Sequence, residues 1–223
     1  MLNLFLLIWF YLNFVMIDIG AEIMYKIVFF GDSVTEAHRN SSEPNDLGQG
    51  FVNNLAKKYE NISFYNRGIS GQKVHDLLVR VQQDVINVKP DFCFIWIGVN
   101  DAWLPYLFDQ EKTLASYKND YEKLIMKIKH DLEHTEIVLI KPFAIAIGEV
   151  TIDIYNDLDH LRNDVDILAK THKLKVIDIK SEVEQKLRFM PGEHLFHDGI
   201  HPTKEGHVLI TQVLDRYFKE HIL

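Results

Sequence analysis

Tyr25-Lys26-Ile27-Val28-Phe29-Phe30-Gly31-Asp32-Ser33-Val34-Thr35 is the stretch on which the fold turns. Its first half is a short run of Ile, Val and Phe, the composition of a strand buried on both faces. Its second half stops that strand at a glycine and sets an acid and a hydroxyl directly beyond it. Further runs of the same kind lie at Ile62–Tyr65, Phe92–Ile97, Ile137–Ile140 and Val176–Ile179. Together with Lys26–Phe30 they predict five strands. Segments of helical period separate them: Phe51–Tyr59, Val74–Asn87, Leu114–His130, Asp153–His172 and Thr203–Lys219. The second of these, with Val88 just beyond it, places Leu77, Leu78, Val81, Val85 and Val88 along one apolar stripe. Strands alternating with helices predict an α/β chain with a parallel sheet covered on both faces. In such open sheets chemistry gathers at the carboxyl ends of the strands. The residues just after each run are therefore the place to look.

The chain as a whole supports that reading. It has 223 residues, 47% of them hydrophobic and 12% aromatic, which is ample for a core and excludes disorder. No repeat, low-complexity tract or long linker interrupts residues 24–223, so they read as one domain. With 24 basic and 32 acidic residues the net charge is −8, which argues against a nucleic-acid partner. Cys93 is the single cysteine, so no intramolecular disulfide can form and no thiolate metal cluster can be built. Its apolar neighbours Phe92 and Phe94 predict a buried, inert thiol.

Residues 1–23 stand apart. Met1 to Ile17 carry no charge, which fits a short membrane anchor or an export signal. No Lys or Arg precedes the run, however, and core structure begins immediately after Met24. A third reading makes Met24 the biological start. The chain would then be cytoplasmic, and membrane-anchored or exported otherwise.

Four motifs stand at the expected edge. Gly31-Asp32-Ser33-Val34-Thr35 follows the first strand, and Asn66-Arg67-Gly68-Ile69-Ser70-Gly71 follows the second. Gly98-Val99-Asn100-Asp101 follows the third, and Asp198-Gly199-Ile200-His201-Pro202 precedes the last helix. Each alone is ordinary turn chemistry. Together they supply what acyl transfer requires: a hydroxyl to attack, an imidazole to take its proton, and a carboxylate to fix the imidazole. The candidates are Ser33, His201 and Asp198. Oxyanion donors would be the Ser33 amide, the Gly71 amide and the Asn100 side chain.

In these residues the sequence resembles the GDSL, or SGNH, hydrolases, whose four named residues match Ser33, Gly71, Asn100 and His201. The family's acid, three positions before the histidine, matches Asp198. The resemblance covers Tyr25 to Leu223 and implies a flavodoxin-like three-layer sandwich with strand order 2-1-3-4-5. It departs at Val34, where the eponymous tetrapeptide has leucine. Within the family the chain is similar to intracellular acetyl esterases of xylo-oligosaccharides, through Arg39, Asn66–Gly71 and Gly98–Trp103. That likeness implies a small acetylated sugar as substrate, a homo-oligomer, and no cofactor. Lysophospholipases, thioesterases and an idle carbohydrate-binding module are the alternatives.

Other readings concern the same neighbourhood. His194-x-x-His197-Asp198-x-x-His201 has metal-ligand spacing, but Gly199 and Pro202 break any helix through it, and the expectation is no metal. Trp103, Tyr106 and Phe196 are expected near substrate, as a sugar platform or acyl wall. Asp32 is a further substrate-binding candidate, and with Arg39 it would alternatively orient the turn after Ser33. His38 and His75 read as surface histidines.

Overall fold

The computed structural model describes residues 24–108 and 114–223. The three readings of residues 1–23 lie outside the described residues. Five parallel strands form one sheet in the order β2-β1-β3-β4-β5, as the resemblance implied. They are β1 (Lys26–Gly31), β2 (Ser63–Gly68), β3 (Phe92–Trp96), β4 (Glu136–Ile140) and β5 (Lys175–Ile177). The helices are α1 (Ser33–Glu36), α2 (Phe51–Lys58), α3 (Val74–Val81), α4 (Val99–Leu107), α5 (Leu114–Asp131), α6 (Ile152–His172), α7 (Lys180–Leu187) and α8 (Lys204–His221). Among the described residues no helix is long and apolar enough to cross a membrane.

Alternation along β1 explains the layering. Phe29 turns to the face covered by α2 and α8, where its ring meets Phe51, Phe64 and Phe94, with centroids 4.9–6.5 Å away. Phe218 of α8 joins the same cluster through Phe64 and Phe94. Phe30 turns to the opposite face, on the side of α3, α5 and α6. There Tyr117 and Tyr121, both fully buried, donate to the carbonyls of Ile97 and Ile95. Each such ring pair adds about 0.5–1.5 kcal/mol beyond its buried area. The central strands are apolar on both faces because helices cover both.

Register sets the site. Gly31 pairs with Gly68 on one side and Trp96 on the other, so three strands end level at one edge.

Several elements differ from the sequence reading. β2 runs on through Asn66-Arg67-Gly68, so half of the expected turn is strand. The stripe at Val74–Asn87 is α3 followed by a π-helical turn, Gln82–Ile86. β5 is only three residues long and stops at Ile177. The segment after Gly98 is the helix α4, although Pro105 lies inside it and cannot donate back along it. α7 had too weak an apolar stripe to be read, since Val183 is its one buried residue.

Candidate active site

The strand β1 ends where no side chain fits. A Cβ on Gly31 would stand 2.4 Å from the Trp96 carbonyl oxygen and 2.5 Å from Thr35 Oγ1. The chain then turns sharply into α1, whose first residue is Ser33. Asp32 caps that turn, its Oδ1 accepting the Val34 amide at 3.1 Å. The turn closes through the Ala37 amide to the Ser33 carbonyl, and Ala37 and His38 adopt left-handed backbones. Asp32 is 2% exposed, which turns it from a substrate-binding candidate into a buried cap. Burial pushes its carboxyl up to about 7, against the opposing pull of the Val34 amide and His201.

Ser33, His201 and Asp198 lie in one hydrogen-bonded line. Ser33 Oγ is 2.9 Å from His201 Nε2, and His201 Nδ1 is 2.6 Å from Asp198 Oδ2. A carboxylate only accepts, so Nδ1 carries the proton and Nε2 is left to accept from the serine. The other oxygen, Asp198 Oδ1, accepts the amides of Ile200 and His201 at 2.9 and 2.8 Å. The turn is thus tied to its own carboxylate. Partial burial works to raise the Asp198 pKa, but the His201 amide, the His201 ring and the Ile200 amide outweigh it. Its carboxyl stays below the usual range.

The two remaining donors sit on neighbouring elements. Gly71 follows β2 with φ at +76° and is exposed. Asn100 is in the first turn of α4, 2% exposed, and its Nδ2 donates to the Gln72 carbonyl at 2.9 Å. One Nδ2 proton is spent there, and the other remains for a second acceptor. That bond also lays the Asn100 side chain against the loop carrying Gly71.

Around this centre the aromatic candidates separate. Trp103 is half-buried, its ring 6.1 Å from the His201 ring and nearly perpendicular to it. Tyr106 is half-buried and donates its hydroxyl to Asp157 of α6 at 2.8 Å. Phe196 does not belong with them: it is 1% exposed and packs edge-on against Phe143, so it is core. Arg39 donates to the Gly68 carbonyl at 3.0 Å, which bonds it to the end of β2. His194 and His197 are exposed beside the turn, while His201 and Asp198 are bonded to each other. His38 and His75 are exposed. Cys93 is fully buried, and burial pushes its thiol well up.

Sequence reasoning missed three residues here. Asp101 is 1% exposed and accepts the Val74 amide at the start of α3. Burial pushes it up to about 7, with the Asp32 charge acting the same way. Gln72 and Arg80 bind one another beside Asn100. A signal existed for Arg80, a long cation beside the apolar stripe of α3, but such residues usually reach water.

Comparisons with known proteins point one way. Residues 29–209 match the GDSL-like lipase/acylhydrolase family model. The acetylxylan esterase of Geobacillus stearothermophilus is 28% identical over 86% of this chain and 92% of its own. Its crystal structure superposes with a TM-score of 0.76, covering 86% of this chain and 93% of that one. A GDSL-like protein of Parabacteroides merdae superposes with a TM-score of 0.80 at 29% identity, covering 86% and 94%.

Proposed function

The chain belongs to the GDSL-like lipase/acylhydrolase family of ester hydrolases, and we propose that it removes acetyl groups from small carbohydrate esters through a serine acyl-enzyme. The observation that carries the serine assignment is the line from Ser33 Oγ through His201 to Asp198, at 2.9 and 2.6 Å. In this reading Ser33 attacks the ester carbonyl while His201 Nε2 takes its proton. Asp198 holds the ring and stabilises the imidazolium. The tetrahedral oxyanion is received by the Ser33 amide, the Gly71 amide and Asn100 Nδ2. His201 then hands its proton to the leaving alcohol. Water repeats the cycle on the acyl-enzyme, and the acid departs with Ser33 restored.

The acetyl-sugar part rests on two supports. The Geobacillus relative, which aligns with most of the chain, is an acetylxylan esterase. Trp103 stands edge-on beside His201, so an aromatic ring flanks the chemistry; Tyr106, one turn on in the same helix, is held by Asp157. Such groups shorten an acyl pocket and offer a flat face to a pyranose ring.

Discrimination per methylene amounts to only about 1–3 kcal/mol, so the test must span several chain lengths. We expect kcat/KM for 4-nitrophenyl esters to peak at acetate, with acetate released from acetylated xylo-oligosaccharides. A maximum at octanoate or longer, with no release from the sugar, would replace this reading by a lysophospholipase or thioesterase.

A further inference from the structure

Beneath the site one guanidinium bonds both the end of β1 and the 69–72 loop. Arg80 lies near the end of α3 with its side chain 12% exposed. Its guanidinium carbon sits 4.5 Å from the Phe30 ring centroid, stacked under β1. Nη1 is paired with Asp84 one turn on. The other two edges of the fork are spent on the site. Nη2 donates to the Gly31 carbonyl at 2.9 Å, and Nε donates to Gln72 Oε1.

Both acceptors matter. Gly31 is two residues before Ser33, and its carbonyl also accepts the Ile69 amide at 3.1 Å. Gln72 directly follows Gly71, and its own carbonyl accepts Asn100 Nδ2. Gln72 is therefore held at both ends, by Arg80 through its side chain and by Asn100 through its backbone. An exposed Arg–Asp pair one helical turn apart contributes only a few tenths of a kcal/mol. Here the ion pair leaves the rest of the fork free to bridge β1 and the 69–72 loop. A lysine has no planar fork and cannot make the three bonds at once.

We propose that Arg80, acting with Gln72, is a positioning residue that fixes the oxyanion donors Gly71 and Asn100 relative to Ser33. The inference rests on the oxyanion assignment made above. A misplacement of about 1 Å in such a constellation costs on the order of a hundredfold in rate, with little effect on ground-state binding.

The test is steady-state hydrolysis of 4-nitrophenyl acetate by the full chain carrying Arg80→Ala, Gln72→Ala, Asn100→Ala, or Arg80→Ala with Asn100→Ala. Arg80→Ala should lower kcat by about ten- to a hundredfold with KM within about twofold, and Gln72→Ala should lower kcat several-fold in the same way. The double variant should lose less than the product of the two single losses, because both act on one donor set. Added guanidinium ion should recover activity in Arg80→Ala and not in Asn100→Ala. If Arg80→Ala does not fold, Gln72→Ala carries the test, since it leaves the Arg80 ties to Gly31 and Asp84 in place. Unchanged kcat in the folded variants, or losses that multiply in the double variant, would overturn the inference while leaving the oxyanion assignment standing. Unchanged kcat in Asn100→Ala would overturn that assignment and this inference with it.

Discussion

The two halves of the site are built by opposite means. The half proposed to carry the nucleophile, Gly31 to Ser33 with the Gly71 loop and Asn100, is fixed from a distance. Sheet register brings Gly31 level with Gly68 and Trp96, and Arg80 bonds Gly31 to Gln72 from 49 and 8 residues away. Its carboxylates, Asp32 and Asp101, are buried. The half proposed for acid–base work, Asp198 to His201, is a turn that organises itself. One carboxylate accepts two amides and the ring, all within three residues. Asp198 and His201 keep side chains 33% and 35% exposed. Long-range order makes the first half sensitive to distant changes. Local order confines the second half's sensitivities to the turn and whatever packs against it.

The largest expected effect tests whether the halves form one machine. Ser33→Ala removes the attacking oxygen from one half, and His201→Ala removes its base from the other. Each should lower kcat for 4-nitrophenyl acetate by about ten-thousandfold or more, and the double variant should lose little further. Retention of near-full activity in either single variant would end the serine assignment.

A smaller effect separates the halves through their glycines. Gly199, with φ at +94°, is packed: an added Cβ would stand 2.6 Å from the Ile145 carbonyl oxygen and 2.8 Å from that of Ile147. Backbone must move to admit it. Gly71, at +76°, has nothing within 4 Å of such a Cβ. Gly199→Ala should therefore destabilise by about 2–3 kcal/mol and displace the triad turn, lowering kcat with it. Gly71→Ala meets only the left-handed backbone cost of about 1–2 kcal/mol. Thermal melts with kinetics check this ordering. A greater loss of stability in Gly71→Ala would mean that the loop is packed more tightly than the turn.

The same division governs what the sequence made legible. β1, β3 and β4 are short, apolar and helix-covered, so composition alone announces them. The hydrogen-bonded line of Ser33, His201 and Asp198 was readable because its turn is local, with Asp198 and His201 three apart, and because Ser33 follows its strand directly. The support of the oxyanion loop was not readable. Gln72, Arg80 and Asp101 act across the fold, and apart from the apolar stripe beside Arg80 nothing in their immediate neighbours marks them as partners. Phe196 failed for a related reason. Its nearness to Asp198 in the chain suggested a rim position, but the Phe196–Pro202 bridge and the Phe143 ring draw it into the core. α4 was not read as a helix, and Pro105 rides inside it.

The subtlest prediction sets the halves against each other through pH. Burial penalises the Asp101 charge and pushes its carboxyl up to about 7 in the folded protein, against 3.8 for a free side chain. Folding thus favours the protonated form. Below about pH 4 both states hold the proton and nothing is lost. Between pH 4 and 7 the unfolded chain ionises first, so stability falls as pH rises, and above 7 the loss is complete. Asp198 has the opposite sign. Its folded value is depressed, so its contribution is present above about pH 4 and fades as pH falls through the folded value. Asp101→Asn keeps an oxygen for the Val74 amide but cannot ionise. Its melting temperature should exceed that of the wild type at pH 7.5 and match it at pH 4. Asp198→Asn should instead melt lower at pH 7.5 and approach the wild type in acid. Lys73 and Asp32 also act on Asp101, and Asp32 shares its direction, so Asp101→Asn should remove only part of the neutral-pH loss. Curves displaced in the same direction by both substitutions would show that the two halves respond to charge alike, and would break the division between them.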